Sequence, residues 1–209
     1  AADRLSCYNC RFTGWQDTIF NGDPMTCNMK KLMLPDFFQA SEVPIVHKFY
    51  RNYFKDCYVC GDVDYIFGPN TAFFDHCEIH SIARVSEGKA YITAASTPAG
   101  QEFGLVFSHC RITGEEPDSV YLGRPWRDCA KTAFICCELG DHICPEGWQN
   151  WGKVRAEVLS DYIEYGNFGP GADCSGRSPL SRCLVNPEVE TYFSKENVLV
   201  GEDGWIPAE

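Results

Sequence analysis

The sequence predicts an all-β solenoid of short strands, on three observations. Two distant segments share one phase, a cysteine motif recurs at variable intervals, and aromatic or β-branched clusters alternate with turn residues. The first observation concerns Trp15-Gln16-Asp17-Thr18-Ile19-Phe20 and Asp62-Val63-Asp64-Tyr65-Ile66-Phe67-Gly68, which align on Asp-x-Ile-Phe. Asp17 lies seven residues after Cys10, and Asp64 lies seven residues after Cys57. Two carboxylates at one phase of a repeat predict a stacked pair on neighbouring coils.

The second observation is the cysteine motif, a Cys followed two positions on by an apolar residue. It occurs at Cys10, Cys57, Cys77, Cys110 and Cys137, at intervals of 47, 20, 33 and 27 residues. A constant strand motif with variable loops is what a coiled solenoid produces, each coil adding one rung and like side chains stacking in ladders. The ladder cysteines then read as small buried hydrophobes rather than a disulfide framework. The sharper alternative is a four-cysteine zinc site from Cys7-x-x-Cys10 and Cys57-x-x-Cys60. The phase opposes it, because the ladder cysteine is second in one pair and first in the other. Cys136 and Cys137 are adjacent and face opposite sides of a strand. Cys174 and Cys183 flank a polar loop and could pair in a secreted chain, though their spacing alone is weak support.

In chain order, residues 5–20 read as one coil: a strand around Cys10, a turn at Gly14, and a strand through Asp17 to Phe20. Residues 21–46 break the pattern with Pro24, Pro35 and Pro44, and read as a long loop inserted in the solenoid. The spacing of Met29, Leu32 and Met33 allows a helical turn that Pro35 ends. From Phe49 to Ile82 strand clusters alternate with Gly61 and Gly68-Pro69-Asn70. Further rungs follow at Gly88 to Ser96, Phe103 to Ile112, Val120 to Trp126 and Lys131 to Leu139. After Trp151 the pattern loosens. Asn186-Pro187-Glu188 then signals a short C-terminal helix, with an Asn cap, Pro at the first helical position and acids in the first turn. This helix is expected to cap the end of the solenoid.

The 209 residues are read as one domain, and 44% hydrophobic content is ordinary for a globular chain. A formal charge of −11 argues against a nucleic-acid partner. No apolar run approaches 18 residues, so no membrane span is expected. The N-terminus has no apolar signal-peptide core. His76 and His109 each precede a ladder cysteine and are expected to line the outside of the coil. None of His47, His76, His80, His109 and His142 sits in a ligand or triad pattern, and no cofactor or metal is expected.

Neighbouring strands lie ~4.8 Å apart, so Asp17 and Asp64 are expected at about that separation or a little more. Two carboxylates this close do not both ionise readily, so one pKa rises while the other stays low. The ionised one can attack or act as base, and the protonated one can donate. Gln16 can supply an amide N–H to an oxyanion, but a turn or bulge must bring it to the face of Asp17. Arg124 can hold a carboxylate bidentately. The bland readings are a turn-forming Asp, a structural ion pair for Arg124, and core packing for Phe67, Trp148 and Trp151.

Four blocks resemble the pectin methylesterase (pectinesterase) family. They are Gly14 to Phe20, Gly61 to Gly68, Tyr91-Ile92-Thr93-Ala94 and Leu122-Gly123-Arg124-Pro125-Trp126, with Pro145 to Trp148 plus Trp151 as a fifth. The resemblance implies a single-stranded right-handed parallel β-helix and hydrolysis of methyl esters in methylated galacturonan, releasing methanol and pectate. By it, Asp64 is the nucleophile, Asp17 the general acid, Gln16 an oxyanion donor and Arg124 the orienter of the nucleophile. Phe67 and Trp126, and more weakly Trp148, are walls of the sugar groove. It also implies a polysaccharide partner and a secreted or cell-wall location. Residue 1 falls inside the family pattern, and the family's earlier coils supply a further oxyanion glutamine. A truncated chain is therefore expected, with an open N-terminal coil that invites association, and an impaired or pectin-binding form stands beside the esterase. A β-helix glycosidase is the third class, since carboxylate pairs at ~5–5.5 or ~6.5–9.5 Å serve there too.

Overall fold

A computed structural model describes residues 3–22 and 50–208. The loop read over 21–46 falls almost wholly outside them. The described strands run in three parallel sheets, and the first four coils each add one strand to each sheet. One sheet contains β1 (Leu5–Tyr8), β4 (Arg51–Lys55), β7 (Thr71–Asp75), β10 (Leu105–Ser108), β13 (Lys131–Ile135), β15 (Asp161–Tyr165) and β16 (Ser181–Leu184), in that order. The second contains β2 (Arg11–Thr13), β5 (Tyr58–Gly61), β8 (Glu78–Ser81), β11 (Arg111–Gly114) and β14 (Glu138–Leu139). The third contains β3 (Ile19–Phe20), β6 (Val63–Gly68), β9 (Ala90–Ala95) and β12 (Val120–Gly123). This is a right-handed parallel β-helix, as expected from the repeat and the family resemblance.

The ladder cysteines occupy corners rather than strand centres. Asn9, Asp56, His76, His109 and Cys136 each adopt a left-handed φ of 51–52° and turn the chain from the first sheet into the second. The next residue is the ladder cysteine. The thiols of Cys57, Cys77, Cys110 and Cys137 donate to the carbonyls of Cys7, Phe54, Phe74 and Phe107, one coil back. The backbone N–H groups of Cys10 and Cys57 in turn donate to the next sulfur along, at 3.4 Å. Asn167, just after β15, takes the ladder place in the next coil and accepts from Cys137 N at 2.9 Å. The cysteines therefore satisfy corner backbone groups as well as filling space, which a purely apolar side chain would leave unpaired. Cys60 pairs in register with Thr13 and His80, while its neighbour Val59 lies in the core row, so Cys57 and Cys60 do not face one site.

Inside, Phe54, Phe74, Phe107 and Phe134 stack with ring centroids 4.6, 4.7 and 4.5 Å apart. Trp148 continues the aromatic core, stacked 4.3 Å from Tyr162. Its indole Nε1 donates to Glu164 at 2.9 Å, and Arg177 grips the same carboxylate through Nε and Nη2 at 2.8 and 3.0 Å. Both members of that ion pair are almost fully buried, and Arg177 also reaches the Gly171 and Pro145 carbonyls. Each buried charge is thereby paired and hydrogen-bonded, as burial requires.

The first sheet is apolar on its outer face too, through Tyr53, Phe73, Val106, Ala133 and Ile163. That face has to be covered, and the C-terminal segment covers it. After the short helix α1 (Ala156–Leu159), helices α2 (Glu188–Tyr192) and α3 (Lys195–Leu199), with the turn between them, bury Val189, Phe193, Val198 and Leu199 against these residues. Asn186 Oδ1 accepts from Glu188 N at the start of α2, as the sequence predicts. The expected position of the helix at the solenoid's end is corrected: it lies along the flank. The chain then runs back to the first coils, where Arg51 binds both Asp3 and Asp203, and Tyr8 donates to the Ala208 carbonyl. Cys174 and Cys183 form a disulfide across nine residues, which spacing alone could not establish. No helix among the described residues is long and apolar enough to cross a membrane.

Two stability outcomes follow from this packing. Phe107→Ala removes the middle of the phenylalanine stack and should cost about 3–5 kcal/mol, read as a lower urea midpoint. His142 is buried, and neither ring nitrogen has a hydrogen-bond partner among the described residues. Burial holds its pKa down at about 4, with the Asp141 charge opposing and His80 reinforcing. The unfolded chain takes up this proton near pH 6.5. Stability is therefore full above that pH and should fall by about 3 kcal/mol as pH drops to 4. Denaturant unfolding across this range checks it, and His142→Phe should flatten the loss.

Candidate active site

The site lies on the outer face of the third sheet, where strand geometry is deliberately broken. Asp17 and Asp64 both have left-handed φ, 60° and 52°. Opposite Asp64, the pairing of β6 with β9 shifts by one residue between Val63 and Ile66. Such a bulge re-aims a side chain that regular alternation would send elsewhere. Asp17 N donates to Val63 O at 3.1 Å, and Ile19 pairs with Ile66 two positions on, so the two aspartates occupy equivalent places on successive coils. Gln16, exposed, immediately precedes Asp17.

Arg124 follows β12 two coils beyond Asp64 and reaches back to it. Its Nε donates to Oδ1 at 2.9 Å and its Nη2 to Oδ2 at 2.7 Å, a bidentate fork. The guanidinium carbon lies over two rings, 4.0 Å from the Tyr91 centroid and 4.4 Å from that of Trp151. Tyr91 is fixed by its hydroxyl, which donates to Gln149 at 3.0 Å. Gly123 is needed beside the arginine, because a Cβ there would stand 2.1 Å from Thr93 Oγ1. Gly68 closes β6 at φ 124°, where a Cβ would meet the Asn21 carbonyl at 2.2 Å.

The electrostatics separate the two acids. Burial pushes the Asp64 carboxyl up, and Arg124 pulls it down, first through the hydrogen bonds and then through its charge, with Arg84 adding to that pull. Asp17 is raised by burial and then by the Asp64 charge, with Arg124 opposing. Among the described residues Asp64 has the fork and Asp17 does not, so Asp64 ionises first and its charge holds the proton on Asp17. The expectation of one low pKa is revised, since burial raises both.

The aromatic walls divide differently from the sequence reading. Trp126 is half-buried, and its ring meets Phe67 edge-on at 5.6 Å, with Phe20 packed on the other side of Phe67 at 5.0 Å. Phe67 is itself 7% exposed and so serves mainly to back Trp126. Trp148 is corrected as a groove residue: it is 1% exposed and locked in the core by Tyr162 and Glu164. Trp151, three residues on and 45% exposed, stands at the site instead. It sits in the same sequence block, but nothing in the spacing of two tryptophans tells which one turns outward. Trp15, 60% exposed beside Gln16, extends the aromatic surface.

Comparison with known proteins identifies the family. The pectinesterase family model matches residues 39–202. The chain is 37% identical to Pectinesterase 31 of Arabidopsis thaliana over 90% of its own length and 50% of that protein's. It is 36% identical to a probable pectinesterase A of Aspergillus fumigatus, over 86% of this chain and 48% of the relative. Among solved structures, the carrot pectin methylesterase superposes with a TM-score of 0.76 at 26% identity, covering 96% of this chain and 58% of that one. A pectin methylesterase solved with a hexasaccharide gives 0.70 at 26% identity, over 99% of this chain and 59% of that one. The chain spans about half the length of the curated relatives it matches. With the family model covering most of its length and a third of its residues shared with these relatives, the chain belongs to the pectinesterase family.

Proposed function

We propose that this chain carries the reaction centre of a carboxylic ester hydrolase acting on methylated homogalacturonan. The observation that carries the reading is the bidentate Arg124–Asp64 pair with Asp17 at the equivalent place one coil away. Relatives named pectinesterases and a related structure with a bound hexasaccharide support the substrate class.

The roles are those the family resemblance implies, and the Arg124–Asp64 fork supports them. Arg124 holds Asp64 as a carboxylate and turns one oxygen toward the galacturonate C6 carbonyl. Attack forms a C–O bond and moves the carbonyl electron pair onto oxygen. The Gln16 amide, next to Asp17, donates to that oxyanion. Collapse expels the methoxy group, which takes the Asp17 proton and leaves as methanol. Asp17, now a carboxylate, accepts a proton from water as the water attacks the acyl-enzyme, and Asp64 is released. Trp126 and Trp151 offer apolar faces for sugar rings, with Phe67 behind Trp126. The disulfide between Cys174 and Cys183 fits an oxidising compartment and supports a secreted or cell-wall setting.

Methanol release, assayed beside reducing-sugar release on methylated pectin, tests the reading. Methanol without new reducing ends is the expected result, and the converse would make the chain a glycosidase. Asp64→Asn should reduce methanol release to background, because an amide forms no acyl-enzyme. Asp17→Asn should lower kcat by about 10²–10⁴-fold with KM little changed. Arg124→Lys should also slow turnover, since a point charge replaces a fork that both hydrogen-bonds and stacks. Full activity of Asp64→Asn would overturn the mechanism.

The pH profile is a separate check. Activity needs Asp64 ionised and Asp17 protonated, and both carboxyls are raised. The acid limb of kcat/KM should therefore lie above the ordinary aspartate pKa of about 3.9, with activity lost as pH falls through it. The alkaline limb should belong to Asp17 and disappear in Asp17→Asn.

A further inference from the structure

The outer corner between the first and second sheets gathers side chains that ester hydrolysis does not use. Its left-handed positions run Asn9, Asp56, His76, His109, Cys136 and then Gly166 at φ 63°. Glycine takes this conformation freely, and Asn, Asp and His are the side chains most often found in it. Cys136 is the exception: its Cβ bears the steric penalty without the compensating local hydrogen bonding that Asn or Asp offers. A strained residue kept where a better one is available is a reason to look for a ligand.

The neighbours of Cys136 supply that ligand's other contacts. The His109 ring is held in place on two sides. Its Nδ1 lies 2.9 Å from Ser108 Oγ, and its face stacks on His76 at 5.2 Å and 7°. That leaves Nε2 pointing outward, 3.7 Å from Glu190 Oε1. Glu190 sits on α2, which Val189 and Phe193 anchor to the sheet. The Cys136 sulfur lies over Gly166, 3.0 Å from where a Cβ would be, in room that only glycine leaves. Nε2 of His109, Sγ of Cys136 and a Glu190 oxygen all fall within 4.8 Å of one another. Around tetrahedral zinc, with Zn–N of about 2.0–2.1 Å and Zn–S of about 2.3 Å, donor atoms stand about 3.5 Å apart. A small rotation of the Cys136 and Glu190 side chains closes that difference.

We infer that His109, Cys136 and Glu190 form a binding site for a thiophilic divalent transition ion of the zinc class, with a fourth position left to water. A thiolate with an imidazole suits zinc and not calcium or magnesium, which take oxygen ligands. Ser108 holds the imidazole as outer-shell partners do: with the ion on Nε2, Nδ1 carries the proton and donates it to the Ser108 hydroxyl. The ion joins the C-terminal helix to the ridge of two coils, so binding should strengthen the cover over the first sheet. The site shares no residue with the centre of Asp17, Asp64 and Arg124, and it stands whether or not the chain turns over pectin.

Cobalt(II) is the probe, titrated into the metal-stripped full chain. One equivalent should bind with a thiolate-to-cobalt charge-transfer band, zinc should displace it, and calcium should not. Zinc should also raise the melting temperature. Cys136→Asn removes the thiolate and places at the left-handed corner the residue that Asn9 already uses there. It should fold at least as well without metal, yet lose the band and the zinc-induced shift. Glu190→Gln and His109→Asn each remove a ligand and should weaken zinc binding by at least the roughly 10–100-fold that loss of an outer-shell partner costs. No band in the wild-type chain at equimolar cobalt would overturn the proposal. A band of full strength in Cys136→Asn would also overturn it, because another thiol would then hold the ion.

Discussion

Everything in this molecule is placed by the register between parallel rungs. A parallel strand pair has one in-register solution that keeps core side chains inward, and a slip of one residue would turn each of them out. The register is pinned at the corner, where a left-handed residue makes the turn and the next side chain bonds to the coil before it. The thiols of Cys57, Cys77, Cys110 and Cys137 all choose the equivalent carbonyl. With that corner fixed, a residue a set number of positions downstream lands in the same place on each coil. Asp17 and Asp64 meet for this reason: each is seven residues past a corner cysteine.

That dependence explains how much of the site could be read from the chain. The aspartate pair was legible because a shared offset from a shared mark is a statement about space in a solenoid. Arg124 was legible only through its sequence block, since it reaches across a coil and no repeat carries it. The tryptophans show the limit. Trp148 and Trp151 have the same chemistry and nearly the same position, and what separates them is the buried Glu164–Arg177 pair that takes one indole N–H. Glu164 and Arg177 lie far from any motif, so nothing local announces them. The helix at Glu188–Tyr192 shows the complementary case. Its caps were plain, but its destination depended on the outer face of the first sheet being apolar. Continuous runs such as Tyr53-Phe54 and Phe73-Phe74 do signal strands buried on both faces.

The site itself is an exchange of solvation for structure. Asp64 is removed from water, which by itself favours its neutral form. Two short hydrogen bonds from Arg124 work against that, and Arg124 is in turn stacked between Tyr91 and Trp151. Stacking matters here because it fixes the guanidinium plane, so the fork meets the carboxylate without first losing the freedom of a long side chain. Among the described residues Asp17 has no such hydrogen-bonding partner, and it feels the Asp64 charge directly. One arginine, reaching one aspartate and not the other, is enough to make two chemically identical groups unequal.

The strained backbone belongs to the same account. Asp17 and Asp64 adopt left-handed φ, and a bulge opens the β6–β9 pairing beside Asp64. In regular strands the consecutive Tyr65 and Ile66 would alternate faces, yet both are fully buried in the core, and the Tyr65 hydroxyl is hydrogen-bonded to Ser81. The bulge lets Tyr65 and Ile66 both remain in the core while Asp64 is directed to Arg124. Aspartate tolerates left-handed φ better than most side chains, so the distortion costs least where the carboxylate is wanted. The core therefore holds the bulge in place: straightening β6 would have to expel Tyr65 or Ile66 before it could release Asp64.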